Sequence, residues 1–118
     1  MSVIHGLPVR VLLPVLLGLA SGAWASDGTI TYEPAGGAGQ GKHIVFVCGE
    51  WEYRCEESLP MLAKILAKRH GFKCTVLFSM NPKDGAGDPS VKNNIPGMSV
   101  LQSADLMVLF SMYLTLPD

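Results

Sequence analysis

The run Ile44-Val45-Phe46-Val47, set between His43 and Cys48 and closed by Gly49, constrains this chain more than any other feature. Apolar and mostly β-branched side chains follow one another with no polar alternation, so both faces of the strand they form must be covered. Such a strand belongs in the middle of a parallel sheet. Two later runs repeat the pattern: Cys74 to Phe78, and Leu106-Met107-Val108-Leu109-Phe110 within Asp105 to Met112.

A helix is predicted between the first two strands, from about Glu57 to His70. Leu59, Leu62, Ile65 and Leu66 give its apolar stripe, and Lys64 and Lys68 lie away from it. Pro60 fits in the first turn, where its missing N–H has no partner to lose. Glu56 and Glu57 suit the positive end of the helix, and Lys68, Arg69 and His70 the negative end. Gly71 is a natural terminator, with Phe72 folding back onto Leu66 or Ala67. A long loop, Asn81 to Pro96, and a short helical turn, Met98 to Ala104, lead to the third strand. Strand, helix, strand and crossover predict parallel β-structure with right-handed connections. The expected fold class is therefore α/β: a partial flavodoxin-like parallel sheet with flanking helices. Numbering the three runs as they occur, the expected order is 2-1-3, with all three buried. Leu116-Pro117-Asp118 reads as the opening of a second helix, so residues 42–118 are expected to be the amino-terminal part of a larger, truncated domain.

The chain has 118 residues, enough for one domain, and its 48% hydrophobic and 16% charged content is that of a globular protein. A net charge of −1 provides neither the basic patch that nucleic acid needs nor a pull toward an anionic membrane. Residues 1–25 read as a signal peptide: Arg10, the apolar run Val11 to Leu19, then Ala23-Trp24-Ala25 as a small-x-small cleavage site. Pro14, Gly18 and the shortness of the run argue against a spanning helix, which needs about 20 apolar residues. Export to the periplasm or beyond is expected, with a mature chain starting near Ser26 and no membrane contact after cleavage. Residues 26–41 read as a Gly-rich linker, with five glycines from Gly28 to Gly41. A dinucleotide-binding loop is excluded, because such a loop follows a strand and opens a helix, whereas this segment precedes one.

In an open parallel sheet, ligands bind beyond the carboxyl ends of the strands. The loop after the first strand is the richest there: Glu50, Trp51, Glu52, Tyr53 and Arg54 combine carboxylates for proton transfer, a guanidinium for anions and aromatics that stack on a sugar or base. Each also has a structural reading. Glu56 and Glu57 complement the helix dipole, Arg54 pairs with Glu50 or Glu52, and Trp51 covers the sheet edge. Spacing alone assigns no acid and base, so catalytic residues stay unassigned.

Cys55 lies near a helix amino terminus but has no His base, since His43 and His70 fall at the opposite edge of the sheet. Cys48 and Cys74 are about four residues out of step on adjacent strands, at about 3.3 Å per residue, too far for a disulfide. Cys48 with Cys55 is geometrically allowed, and three cysteines leave at least one unpaired within the chain. No tetrahedral metal-ligand spacing and no cofactor motif is present, so neither a metal nor a cofactor is expected.

Several stretches together carry a family resemblance: Lys42-His43-Ile44-Val45-Phe46-Val47-Cys48-Gly49, Glu52-Tyr53-Arg54 with Glu56-Glu57-Ser58-Leu59-Pro60, His70-Gly71-Phe72, Thr75-Val76-Leu77-Phe78, Asn94-Ile95-Pro96-Gly97 and Ala104-Asp105-Leu106-Met107. From Lys42 to Asp118 the sequence resembles the front part of the trehalose-utilisation (ThuA-like) family, within the class I glutamine amidotransferase-like fold. It departs from the family pattern where Trp51 interrupts an acidic pair and Cys55 replaces a serine. The resemblance implies an exported domain in sugar or sugar-derivative metabolism, of unknown reaction, with a small carbohydrate as ligand. It does not imply glutaminase activity. A non-catalytic carbohydrate-binding module and an inactive truncated product are the alternatives.

Overall fold

The computed structural model describes residues 27–50 and 52–115. The expected signal peptide, Trp51 and the helix opening at 116–118 lie outside these residues. Four strands, β1 (Thr29–Tyr32), β2 (His43–Gly49), β3 (Lys73–Phe78) and β4 (Leu106–Ser111), and one α-helix, α1 (Cys55–His70), make an α/β arrangement, with a 3-10 turn at Met98–Ser103. No helix among the described residues is long and apolar enough to cross a membrane.

The sheet has the order β1-β3-β2-β4. It is mixed and four-stranded, not the all-parallel three-stranded sheet of order 2-1-3 expected from the sequence. Strand β2 runs parallel to β3 on one side and to β4 on the other, with Cys48 opposite Phe78 and Phe110. The added strand, β1, pairs antiparallel with the outer edge of β3, from Thr29 opposite Leu77 to Tyr32 opposite Cys74. Its four residues, Thr-Ile-Thr-Tyr, are strand formers, and they close an edge that β3 would otherwise leave open.

The segment read as a linker is thus docked chain. The N–H of Ala35 donates to the Ala67 carbonyl at 3.1 Å, and that of Gly39 to the His70 carbonyl at 2.8 Å. The His70 carbonyl is one that the end of α1 leaves without a partner, and the Ala67 carbonyl takes the Ala35 bond beside the one from Gly71. The glycines make this approach feasible: a Cβ on Gly39 would lie 2.5 Å from the Phe72 ring, and one on Gly37 would lie 2.7 Å from the His70 backbone.

Helix α1 starts at Cys55, two residues before its expected start, because Arg54 takes the left-handed conformation (φ 54°) and turns the chain into the helix. Pro60 therefore falls in the second turn, where it removes the N–H that would have met the Glu56 carbonyl. The helix ends as expected: Gly71 is left-handed, and the N–H groups of Gly71 and Phe72 donate to the carbonyls of Ala67 and Leu66. The buried face differs from the predicted stripe. Cys55, Leu59, Ala63 and Ala67 are buried, whereas Leu62 and Ile65 are largely exposed. These four residues recur every four positions, and the small side chains of Ala63 and Ala67 let the helix sit close on the sheet.

Strand alternation divides the core. Ile44, Phe46, Cys48, Cys74 and Val76 pack under α1, while Val45, Val47 and Leu77 pack under Ile95, Met98, Val100, Leu101 and Leu114. The second face is covered by irregular chain and the 3-10 turn, not by a second flanking α-helix. Each fully buried Val, Leu or Phe contributes roughly 1.5–3 kcal/mol. At the amino ends of the strands, the buried His43 ring is satisfied by Ser103 (3.1 Å) and Thr75 (2.9 Å). Strand β4 departs from the expectation of burial: Leu106, Met107, Leu109 and Phe110 are all exposed, because β4 is an edge strand of which only Val108 packs against the core.

Candidate functional site

The chain leaves β2 toward β3 through α1 on one face, and returns to β4, on the other side of β2, across the opposite face. The carboxyl ends of β2 and β4 therefore flank a point where the connections diverge, the place where α/β sheets form crevices. A depression of about 310 Å³ lies there, lined by Glu50 and Tyr53 from the β2 loop and by Leu109 to Met112 from the end of β4.

The structure separates the predicted site residues. Glu50 is only 2% exposed, and its two carboxylate oxygens accept the N–H groups of Glu52 (3.1 Å) and Tyr53 (2.7 Å). It thereby folds the loop that leads into α1. Tyr53 is 69% exposed and meets Phe110 edge to face, with ring centroids 6.4 Å apart. Glu52 is exposed and Arg54 is exposed and paired with Glu57, not with Glu50 or Glu52. Glu50 and Tyr53 are thus brought together in the crevice. Glu52 and Arg54 do not line it.

A disulfide joins Cys48, the penultimate residue of β2, to Cys55, the first residue of α1, with their Cα atoms 5.9 Å apart. This settles a pairing that the sequence left open, and it closes the loop that carries Glu50 and Tyr53. Cys74 is free and buried, and burial pushes its thiol up. One carboxylate oxygen of Glu56 comes within 4.8 Å of the two bridged sulfurs. Bridged sulfurs are poor metal ligands, since binding needs the thiolate.

At the end of β2, Gly49 has no side chain and Leu114 packs into the space a Cβ would fill, 2.7 Å from its Cδ1. Leu114 thereby holds the chain after β4 over the end of β2. Lys92 approaches the ring of Tyr113 at 5.0 Å, and the Thr115 N–H donates to the Lys92 carbonyl, which fixes that segment to the long loop.

A second, larger cavity of about 440 Å³ lies on the α1 side, between the first turns of the helix, the end of β3 and strand β1. Sequence reasoning missed it. Ser79 and Tyr32 carried no motif, and Glu56 was assigned only to the helix dipole.

The fold and crevice define a small mixed-sheet α/β unit with a ligand-sized depression at the carboxyl end of its central strand. No family model matches the chain, and neither a curated protein nor a solved structure shows significant similarity to it.

Proposed function

We propose that this chain is an exported ThuA-like domain that engages a small carbohydrate at the crevice between β2 and β4, as part of sugar or sugar-derivative metabolism. The observation that carries this reading is the position of Glu50 and the exposed Tyr53 ring beside Phe110, at the divergence point of the sheet. An exposed aromatic ring at the rim of a concave site suits stacking on the apolar face of a sugar ring, and Glu50 holds the loop that carries it. The three parallel strands β3, β2 and β4 support a flavodoxin-like core, to which β1 is an edge addition. The uncovered apolar faces of β4 support a sheet that continues in a larger domain. The Cys48–Cys55 bridge supports an oxidising, extracytoplasmic location.

Within this reading, binding without chemistry is favoured over catalysis. Both oxygens of Glu50 are held by loop amides, and Glu52 stands outside the crevice, so no carboxylate pair faces a ligand there. The experiment is saturation-transfer NMR of the chain with glucose and with trehalose, repeated on Tyr53→Ala. Binding that weakens at least about tenfold, or 1.4 kcal/mol, in the variant supports the reading. Binding that survives unchanged, or no binding of either sugar, refutes the crevice as a carbohydrate site.

A further inference from the structure

The Cys48–Cys55 bridge stands beside a carboxylate, and reduction changes what the three groups can do together. Cys48 comes from the end of β2, while Cys55 and Glu56 are the first two residues of α1. Their donor atoms, two sulfurs and one Glu56 oxygen, all lie within 4.8 Å of one another. Glu56 has no ion-pair partner among the described residues, and its Oε2 has no hydrogen-bond partner there. Its carboxyl is therefore not committed to another cation. The cavity under β1, about 440 Å³, is lined by both Cys48 and Glu56, which gives an ion and its water a way in. No Lys, Arg or His lines that cavity, so no fixed cation competes there.

Tetrahedral zinc holds a thiolate sulfur at about 2.3 Å and a carboxylate oxygen at about 2.0–2.2 Å. Those bonds set two sulfurs about 3.8 Å apart, and a sulfur and an oxygen about 3.6 Å apart. The bridged sulfurs are closer than this, and the Glu56 oxygen lies no more than 4.8 Å from either. Once the bridge is cut, shifts of about 1 Å in each side chain complete the set. The free N–H groups at the start of α1 favour a thiolate at Cys55. Cys74 is excluded as a ligand: it pairs with Ile44, four positions from Cys48 and about 13 Å away along the strands. Two thiolates select a zinc-class ion over magnesium or calcium, which take oxygen ligands. Three protein ligands leave a fourth position for water.

We propose that the reduced chain binds one zinc-class divalent ion through Cys48 Sγ, Cys55 Sγ and a carboxylate oxygen of Glu56, so that a metal closes the β2–α1 loop when a disulfide does not. The chemistry balances in two steps. A phosphine reductant gives its electron pair to the S–S bond and takes the oxygen of one water, whose two protons make the sulfurs thiols. The ion then displaces both thiol protons to solvent. Co²⁺ is the coloured probe and Zn²⁺ its competitor, each added to the chain with and without a water-soluble phosphine. The reduced chain should take one Co²⁺, with the visible bands and thiolate charge-transfer absorption of a tetrahedral site, and Zn²⁺ should displace it. The oxidised chain should take none. Cys74→Ser should bind as the parent does, and Glu56→Gln should weaken binding at least about tenfold. Zn²⁺ should raise the melting temperature of the reduced chain by at least about 5 °C and leave that of the oxidised chain unchanged. Equal uptake in the two redox states, no uptake by the reduced chain, loss of binding in Cys74→Ser, or a melting temperature that Zn²⁺ lowers would overturn the proposal. The comparison of oxidised with reduced chain needs no variant, so it decides the matter even where Glu56→Gln fails to fold.

Discussion

Reduction of the Cys48–Cys55 bridge removes a cross-link without removing an atom from the core, so its effect on stability is calculable. The bridge spans a sequence separation of 7. In the chain-entropy treatment, a loop of that size restricts the unfolded ensemble by roughly 8 cal/mol/K, or about 2.4 kcal/mol at 25 °C. For a domain of this size, 1 kcal/mol moves the melting temperature by about 4–8 °C, so reduction should lower it by roughly 10–20 °C. The assay is thermal unfolding by circular dichroism with and without dithiothreitol, beside a Cys48→Ala/Cys55→Ala double variant. Cys74 is already a free thiol, so the reductant has no other bridge to break among the described residues. The unreduced chain should titrate one thiol on denaturation, and the reduced chain three. A shift under about 2 °C, well below the loop-entropy value, or three reactive thiols in the untreated chain, would refute the reasoning.

Three further outcomes are expected. Gly71→Ala should cost more than about 1 kcal/mol in urea unfolding, because the site is left-handed and a Cβ there would meet the Gly36–Gly37 backbone at 2.7 Å; an effect of a few tenths would mean that the 35–41 segment is not docked. Phe46→Ala should cost about 3–5 kcal/mol and Phe110→Ala far less, since Phe46 is fully buried and Phe110 is on the uncovered strand; equal costs would place a cover over β4. The Lys42 ammonium, which donates to Asp105, and the His43 N–H hold the Asp105 carboxyl below its usual range. A depressed carboxyl contributes stability above its unfolded value of about 3.9 and loses it as pH falls through the folded value. Asp105→Asn should therefore be less stable than the parent at neutral pH, with the gap closing in acid; a constant gap from pH 7 to pH 2 would contradict the linkage.

The central strands and the helix were legible because each carries a local signal: the unbroken apolar run at 44–47, the run at 74–78 interrupted only by Thr75, acidic and basic residues at the correct helix ends, and Gly71 as a stop. The buried face of α1 was not, because hydrophobicity pointed to Leu62 and Ile65 while closeness of approach selected Ala63 and Ala67. Strand β1 was hidden by its neighbours: Thr29 to Tyr32 has strand composition, but the glycines after it read as free chain until α1 supplied carbonyls for their amides. The same holds for the sites. Position after the central strand drew attention to the loop whose Glu50 and Tyr53 line the crevice, whereas the left-handed turn at Arg54, which points its guanidinium to Glu57, has no signature in residue type. The cavity under β1 is lined jointly by the end of β3, strand β1 and the first turns of α1, a relation that only the tertiary arrangement creates.

The placement of the cysteines also bears on how the chain must reach its native state. Three cysteines allow three single bridges, of which the structure has one. Once β2 and β3 pair in register, Cys74 sits opposite Ile44, four positions from Cys48 along the strands. That is about 13 Å at 3.3 Å per residue, beyond the reach of a disulfide. With α1 packed on the sheet, Cys74 is fully buried in the core that the helix covers. Sheet pairing therefore sorts the thiols where it precedes oxidation, and oxidant that arrives ahead of β3 would trap wrong isomers. Refolding yield should consequently depend on the order in which denaturant is removed and oxidant is added.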